Sequence, residues 1–183
     1  WRHFFLQPSS ILDNCNLWCT MQYMKIVMDA DCLIKLTKAG LKESVCNAFQ
    51  VTIPHLVKEE IVDRGRKKQL PDAYIIEKNI KDGLIKIEGK RNSAVYVGEK
   101  EAVALFENGG FDAIGSDDKR FIKQLRVFNI PYITPAVFIA VMLKKGDILQ
   151  DEAEKRLYAL SEYISENEYC SVKLFIEQWR TKR

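Results

Sequence analysis

From Met24 onward the chain alternates short, nearly continuous apolar runs with longer stretches whose apolar residues recur every three or four positions. The first pattern predicts strands buried on both faces, and the second predicts amphipathic helices. Lys25-Ile-Val-Met28, Gln50-Val-Thr-Ile53, Leu84-Ile-Lys-Ile87, Asp112-Ala-Ile-Gly115 and Ile130-Pro-Tyr-Ile133 are the predicted strands. After the first of them, Leu33, Ile34 and Leu36, then Leu41, Val45, Cys46 and Phe49, fall at helical spacing, broken at Gly40. Pro54 stops the second strand and suits the start of a helix from about His55 to Arg64, because a first turn leaves its amides unpaired anyway. Gly65 with Arg64, Arg66, Lys67 and Lys68 predicts a loop, and Pro71 opens another helix reaching about Asn79. Further helices are predicted over Glu99–Glu107, where Asn108-Gly109-Gly110 ends the pattern, and over Ser116–Phe128. Thr134 and Pro135 supply a cap and a first position for Ala136–Lys144, and Leu149–Ile164 and Val172–Arg180 follow.

Strands separated by helices require crossover connections, so the expected architecture is α/β: a three-layer sandwich with a central, mostly parallel five-stranded sheet and extra C-terminal helices. The 183 residues suit one domain, spanning 24–183, with the sheet in 24–146 and C-terminal helices in 147–183. Leu157, Leu160, Ile164 and Phe175 in those helices are expected to pack on the core. Trp1 to Tyr23 has neither period and no continuous apolar stretch before a cleavage site, so it reads as an irregular N-terminal extension. In open parallel sheets ligands bind beyond the carboxyl ends of the strands, where the strand order reverses. Residues that directly follow a strand are therefore the ones to inspect for chemistry.

Composition narrows the classes without choosing among them. Hydrophobic residues are 47% and charged residues 29%, an ordinary globular balance. The net charge of +3 is too small to imply nucleic-acid binding by itself, although basic residues gather at 64–68 and at Lys119, Arg120, Lys123 and Arg126. Five irregularly spaced cysteines argue against a disulfide framework and for a reducing, cytoplasmic setting. Cys32 and Cys46 fall in apolar helical patterns and read as core residues, while His3, Cys15 and Cys19 are too loosely spaced for a zinc site. No apolar run approaches the length of a membrane span.

Acidic residues fall where the sheet rule directs attention. Asp29 and Asp31 follow the first strand, and Asp117 and Asp118 follow the fourth. Glu60 shares a helical face with Leu56, Val57 and Ile61, and Glu101 shares one with Gly98, Ala104 and Leu105, which predicts half-buried carboxylates. Singly, each acid reads as a cap or an ion-pair partner. Several carboxylates aimed at one crevice repel one another unless a cation is present, and an oxygen-only donor set suits Mg²⁺ or Mn²⁺.

The sequence around these acids resembles the PIN-domain family. Ile26-Val-Met-Asp29-Ala-Asp31-Cys-Leu-Ile34 is similar to its opening strand and first acid, and Val57-Lys-Glu-Glu60-Ile61 to its second-acid helix. Gly98-Glu-Lys-Glu101-Ala102 resembles the Gly-x-x-Glu-Ala segment of the third acid. Ile114-Gly-Ser116-Asp117-Asp118-Lys119 resembles the Thr-x-Asp segment of the fourth, with Ser in the Thr position and Asp118 favoured by the spacing. The likeness runs from about Lys25 to Lys145 and on through the last helices.

The resemblance implies a metal-dependent nuclease that cleaves single-stranded RNA with Mg²⁺ or Mn²⁺. Asp29, Glu60, Glu101 and Asp118 would be its catalytic acids, with Asp29, Glu101 and Asp118 as metal ligands and Asp31 and Asp117 as additional ones. Ser116 would support a ligand carboxylate, and Arg66, Lys67, Lys68, Lys119 and Arg120 would meet the phosphate backbone. Many small members of the family act as toxins, which makes an antitoxin protein or a second copy of this chain a candidate partner. Two alternatives stand beside this reading. Asp29-x-Asp31 also resembles the acid pair of haloacid-dehalogenase-type phosphatases, although Leu33 stands where that family has Thr and Glu60 and Glu101 have no role there. The third reading is a PIN-like module that binds nucleic acid without cutting it.

Overall fold

The computed structural model describes residues 24–89 and 98–181. The N-terminal extension, with His3, Cys15 and Cys19, lies outside the described residues.

Five strands form one parallel sheet: β1 (Lys25–Met28), β2 (Gln50–Pro54), β3 (Ile85–Glu88), β4 (Ala113–Gly115) and β5 (Tyr132–Ile133). Their order is β3-β2-β1-β4-β5, and Val27 stands opposite both Thr52 and Ile114 in the register. The chain thus runs outward from β1 to β3, then returns to the far side of β1 for β4 and β5. Right-handed crossovers put the connections of the outward and return legs on opposite faces.

On the outward leg lie α1 (Ala30–Lys38), α2 (Lys42–Ala48), α3 (residues 55–67) and α4 (Pro71–Lys81). On the return leg lie α5 (Gly98–Glu107) and α6 (Lys119–Val127). The side chains of β1 show the two faces directly. Ile26 and Met28 enter the larger core beneath α1 to α4, while Val27 enters the smaller core with Ala102, Leu105, Phe121 and Leu125. That alternation is the period of two of a pleated strand. The sheet and its two helical layers match the three-layer expectation.

Three further helices, α7 (Pro135–Lys145), α8 (Gln150–Leu160) and α9 (Glu166–Thr181), return to the face of the larger core. Every residue of α7 from Pro135 to Leu143 is buried, because α8 and α9 cover the side turned away from the sheet. Leu157 and Leu160 are buried there too, as expected of core positions. Cys32 and Cys46 are buried free thiols.

Two local departures bear on the site. The predicted loop at Gly65 is helical, so α3 continues through Arg64–Lys67. Gly65 is buried with its Cα side against Ala73, where a Cβ would come within 2.8 Å of the Ala73 Cβ. A glycine chosen for close helix packing, not for a turn, explains why the helix does not break there. Within α3, Glu59–Asp63 forms a π-helical turn. Such a turn changes the angular step per residue, so faces assigned by regular helical spacing shift beyond it. Ile61 and Val62 are both buried, and Glu60 is exposed instead of half-buried.

Candidate functional site

β1 and β4 are neighbours at the point where the chain reverses direction across the sheet, and their carboxyl ends carry the first acids. The Asp29 amide donates to the Gly115 carbonyl at 2.9 Å, which holds the exit of β1 against the exit of β4. Asp29 is only 5% exposed and serves as N-cap of α1, its Oδ1 accepting from the Cys32 amide at 2.8 Å. Burial pushes its carboxyl up to about 7, and the charges of Asp31 and Glu99 push the same way. The hydroxyl of buried Ser116 and the Cys32 amide, both donating to the carboxylate, work against that rise.

Glu101 reaches the site from α5. Its Oε2 accepts from the Leu56 amide at 2.9 Å, capping the start of α3, where Pro54 offers no side-chain cap. Its Oε1 is buried and has no hydrogen-bond partner among the described residues. Gly89 lies so close over this carboxylate that a Cβ there would sit 2.4 Å from Oε1.

Asp118 is the N-cap of α6, its Oδ1 accepting from the amides of Arg120 and Phe121, each at 2.8 Å. The Asp118 amide in turn donates to Ser116 Oγ at 3.2 Å. The bland role foreseen for this acid, a helix cap, is therefore real, and it uses one carboxylate oxygen.

Asp117 and Asp31 are drawn elsewhere. Lys35, one turn along α1 from Asp31, places its Nζ 2.7 Å from Asp31 Oδ2 and 2.5 Å from Asp117 Oδ2. Burial disfavours this ammonium, yet its hydrogen bonds to Asp117 and Asp31 outweigh that and raise its pKa. The chain thus supplies its own cation to two of the acids named as metal ligands.

Two carboxylates join the cluster without having been singled out in the sequence. Glu99, in the first turn of α5, has its pKa raised by burial and then by the charges of Asp118 and Glu60. Its position two residues before Glu101 was the available signal. Glu168 arrives from α9, its Oε1 accepting from the Ala136 amide at 2.9 Å. Burial raises its carboxyl to about 7, opposed by the Thr134 hydroxyl and helped by the charge of Asp117. No local pattern could have placed this residue, since α9 is brought over β5 only by tertiary packing.

Glu60 faces a different space. It lines a cavity of about 340 Å³ between α1, α3 and α4, together with Lys38, Arg64 and Lys68. Its charge still reaches Glu99.

The basic clusters separate in the same way. Lys119 and Arg120 are exposed at the first turn of α6, beside the acids. Arg66, Lys67 and Lys68 lie at the far end of α3, roughly 18 Å along its axis from Pro54 at about 1.5 Å per residue. Arg66 is also paired with Glu77 at 3.1 Å.

A family model described as a PIN domain matches residues 25–178. The chain belongs to the PIN-domain family. The match takes in α8 and most of α9, so these helices are part of the PIN domain itself. No curated protein and no solved structure matches the chain. A PIN domain is a nuclease-like module, which makes the acids at the sheet's carboxyl edge its candidate centre.

The donors of this PIN domain can be tested against Mg²⁺ or Mn²⁺. Among the described residues, no three His, Cys, Asp or Glu side chains lie close enough together to hold an ion as they stand. The chemistry of the set nevertheless fits. The donors nearest the switch point are carboxylate oxygens, and Glu101 Oε1 is a buried acceptor lacking any donor. Among the described residues no helix is long and apolar enough to cross a membrane.

Proposed function

We propose that this PIN domain is a metal-dependent nuclease that hydrolyses phosphodiester bonds in single-stranded RNA. The observation that carries the proposal is the unpartnered Oε1 of buried Glu101, on the same carboxyl edge as Asp29, whose burial disfavours its charged form. A buried carboxyl oxygen without a donor is costly, and such cost is retained where positive charge is to be received.

Asp29, Glu101 and Asp118 would hold Mg²⁺ or Mn²⁺, with Glu99 close enough to add charge. When bound, the ion would polarise the phosphate and make a water acidic enough to attack it. The remaining work belongs to the chain. Ser116 and the Cys32 amide orient Asp29, the Leu56 amide holds Glu101, and the first turn of α6 holds Asp118. Lys35 offsets part of the charge of Asp31 and Asp117, which limits the repulsion the centre must bear. Glu60 would act from outside this group, through its charge on Glu99. Lys119 and Arg120 would take the phosphates of the strand, so affinity should fall as salt rises. Family and chain size are the support for a toxin setting, with an antitoxin protein or a second copy as partner.

The test is cleavage of a panel of RNAs and DNAs with Mg²⁺, Mn²⁺ or EDTA. Asp29→Asn should abolish cleavage while leaving the protein folded, and full Mg²⁺-dependent activity in that variant would sink the mechanism. Hydrolysis of a simple phosphate monoester, with an aspartyl-phosphate trapped on Asp29, would favour the phosphatase reading instead. Against that reading, Asp31 is tied to Lys35. Binding of RNA without cleavage at any metal would leave only the binding module.

A further inference from the structure

A cavity of about 540 Å³ runs along the outer edge of β5, between α6 and α9. Its size lies in the range of pockets that enclose a small ligand. One wall carries Lys119, Lys123 and Arg126, which share a face of α6 because they stand four and then three residues apart. Neither lysine has an ion-pair or hydrogen-bond partner among the described residues. Arg126 spends its Nε on the Tyr132 hydroxyl at 2.9 Å, with its guanidinium over that ring. Lys35, Lys58, Arg66 and Arg156, by contrast, are each paired with a carboxylate.

The opposite wall is the start of α9. Ser165 and Ser171 are occupied with the helix backbone, Ser165 Oγ accepting from the Glu168 amide and Ser171 Oγ donating to the Asn167 carbonyl. Asn167 is left with its carboxamide uncommitted. The floor is apolar, from Ile122, Val137 and Val172. Asp117 and Glu168 line the groove as well, and Asp117 directly precedes Asp118 in the chain. Its lining thus reaches the chain neighbour of one proposed metal ligand. Lys35 offsets part of the Asp117 charge, and the three basic residues of the lining outnumber its two carboxyl groups, so the groove is positive in formal charge.

We propose that this groove seats one unpaired nucleotide of the RNA strand, flanking the bond to be cut. Its phosphate lies against Lys119 and Lys123, its base rests on the apolar floor, and Asn167 reads its edge. The inference rests on the nuclease reading for its substrate class and goes further by naming where the strand lies and why it must be single. A duplex keeps its bases stacked and paired, and so cannot offer one to an enclosed pocket.

The test separates binding from cutting. Binding of a short labelled single-stranded RNA is measured by anisotropy in EDTA across a salt series, for the wild type and for Lys119→Gln/Lys123→Gln. Each phosphate contact on a single strand contributes about 0.7 to the slope of log affinity against log salt. Loss of that one phosphate contact in the double variant should therefore lower the slope by about 0.7, which corresponds to roughly fourfold weaker binding near 0.15 M salt. Lys78→Gln/Lys155→Gln, with the same loss of charge elsewhere, should keep the wild-type slope. Asn167→Ala should raise KM with kcat unchanged, and duplex RNA should bind more weakly than the single strand. A wild-type slope in the Lys119→Gln/Lys123→Gln variant, or duplex bound as well as single strand, overturns the groove even if the protein cuts RNA. A lowered slope with no cleavage at any metal upholds the groove and overturns the nuclease.

Discussion

Replacing Asp29 by Asn removes a negative charge from a buried position and keeps the oxygen that the Cys32 amide uses. The folded carboxyl sits at about 7 against an ordinary 3.8. Below 3.8 both folded and unfolded chains carry the proton, so the group costs nothing. As pH rises through the interval the unfolded chain ionises first, and folding is disfavoured increasingly until about 7, beyond which the cost stays constant. At about 1.36 kcal/mol per unit the interval amounts to about 4 kcal/mol, an upper bound because Asp31 and Glu99 share the repulsion. Urea unfolding in EDTA should show Asp29→Asn and wild type equally stable near pH 4. The variant should become more stable by about 2–4 kcal/mol above pH 7. Adding Mg²⁺ at about 100 times its dissociation constant should return about 2.7 kcal/mol to the wild type and less to the variant. An Asn variant no more stable than wild type at pH 8 in EDTA would refute the claim that Asp29 is held at a cost.

Asp118→Asn should leave stability within about 0.5 kcal/mol, since Asn caps a helix as well as Asp does, yet lower RNA cleavage by about 100-fold or more. Asp117→Asn, which weakens the link to Lys35, should cut more nearly normally; the reverse pattern in a gel assay would exchange their roles. Gly89→Ala should lower the unfolding free energy by about 1–3 kcal/mol, because φ is +114° and the new Cβ would meet Glu101 Oε1. A thermal melt and a cleavage assay both unchanged in that variant would show that Glu101 is not confined as described.

The parts of this fold that could be read from the sequence are those fixed by local pattern. The run Ile26 to Met28 ends at Asp29, and period and position together placed that acid at the carboxyl edge. Glu101 was legible because its helix is regular and its face small and apolar. Glu60 was misplaced because a π turn lies directly beneath it, and no residue type in Glu59–Asp63 announces one. Gly65 was read as punctuation because glycine usually is, whereas here the missing Cβ lets α3 approach Ala73. Nothing local marks Lys35, because its partner Asp117 is brought beside it from the end of β4. Glu168 depends on packing between α9 and the start of α7, which no local pattern announces.

Helix α7 has a consequence for how the chain is made. It is apolar on every side, so no orientation on the sheet alone can hide it. Until α8 and α9 have left the ribosome, the nascent protein must carry a complete sheet with an oily helix bare on its outer surface. Final folding is therefore deferred until α8 and α9 are made, and premature termination after Lys145 should yield aggregates, not a smaller folded protein. Because Glu168 travels on α9, the acidic cluster acquires its α9 wall only when that surface is sealed.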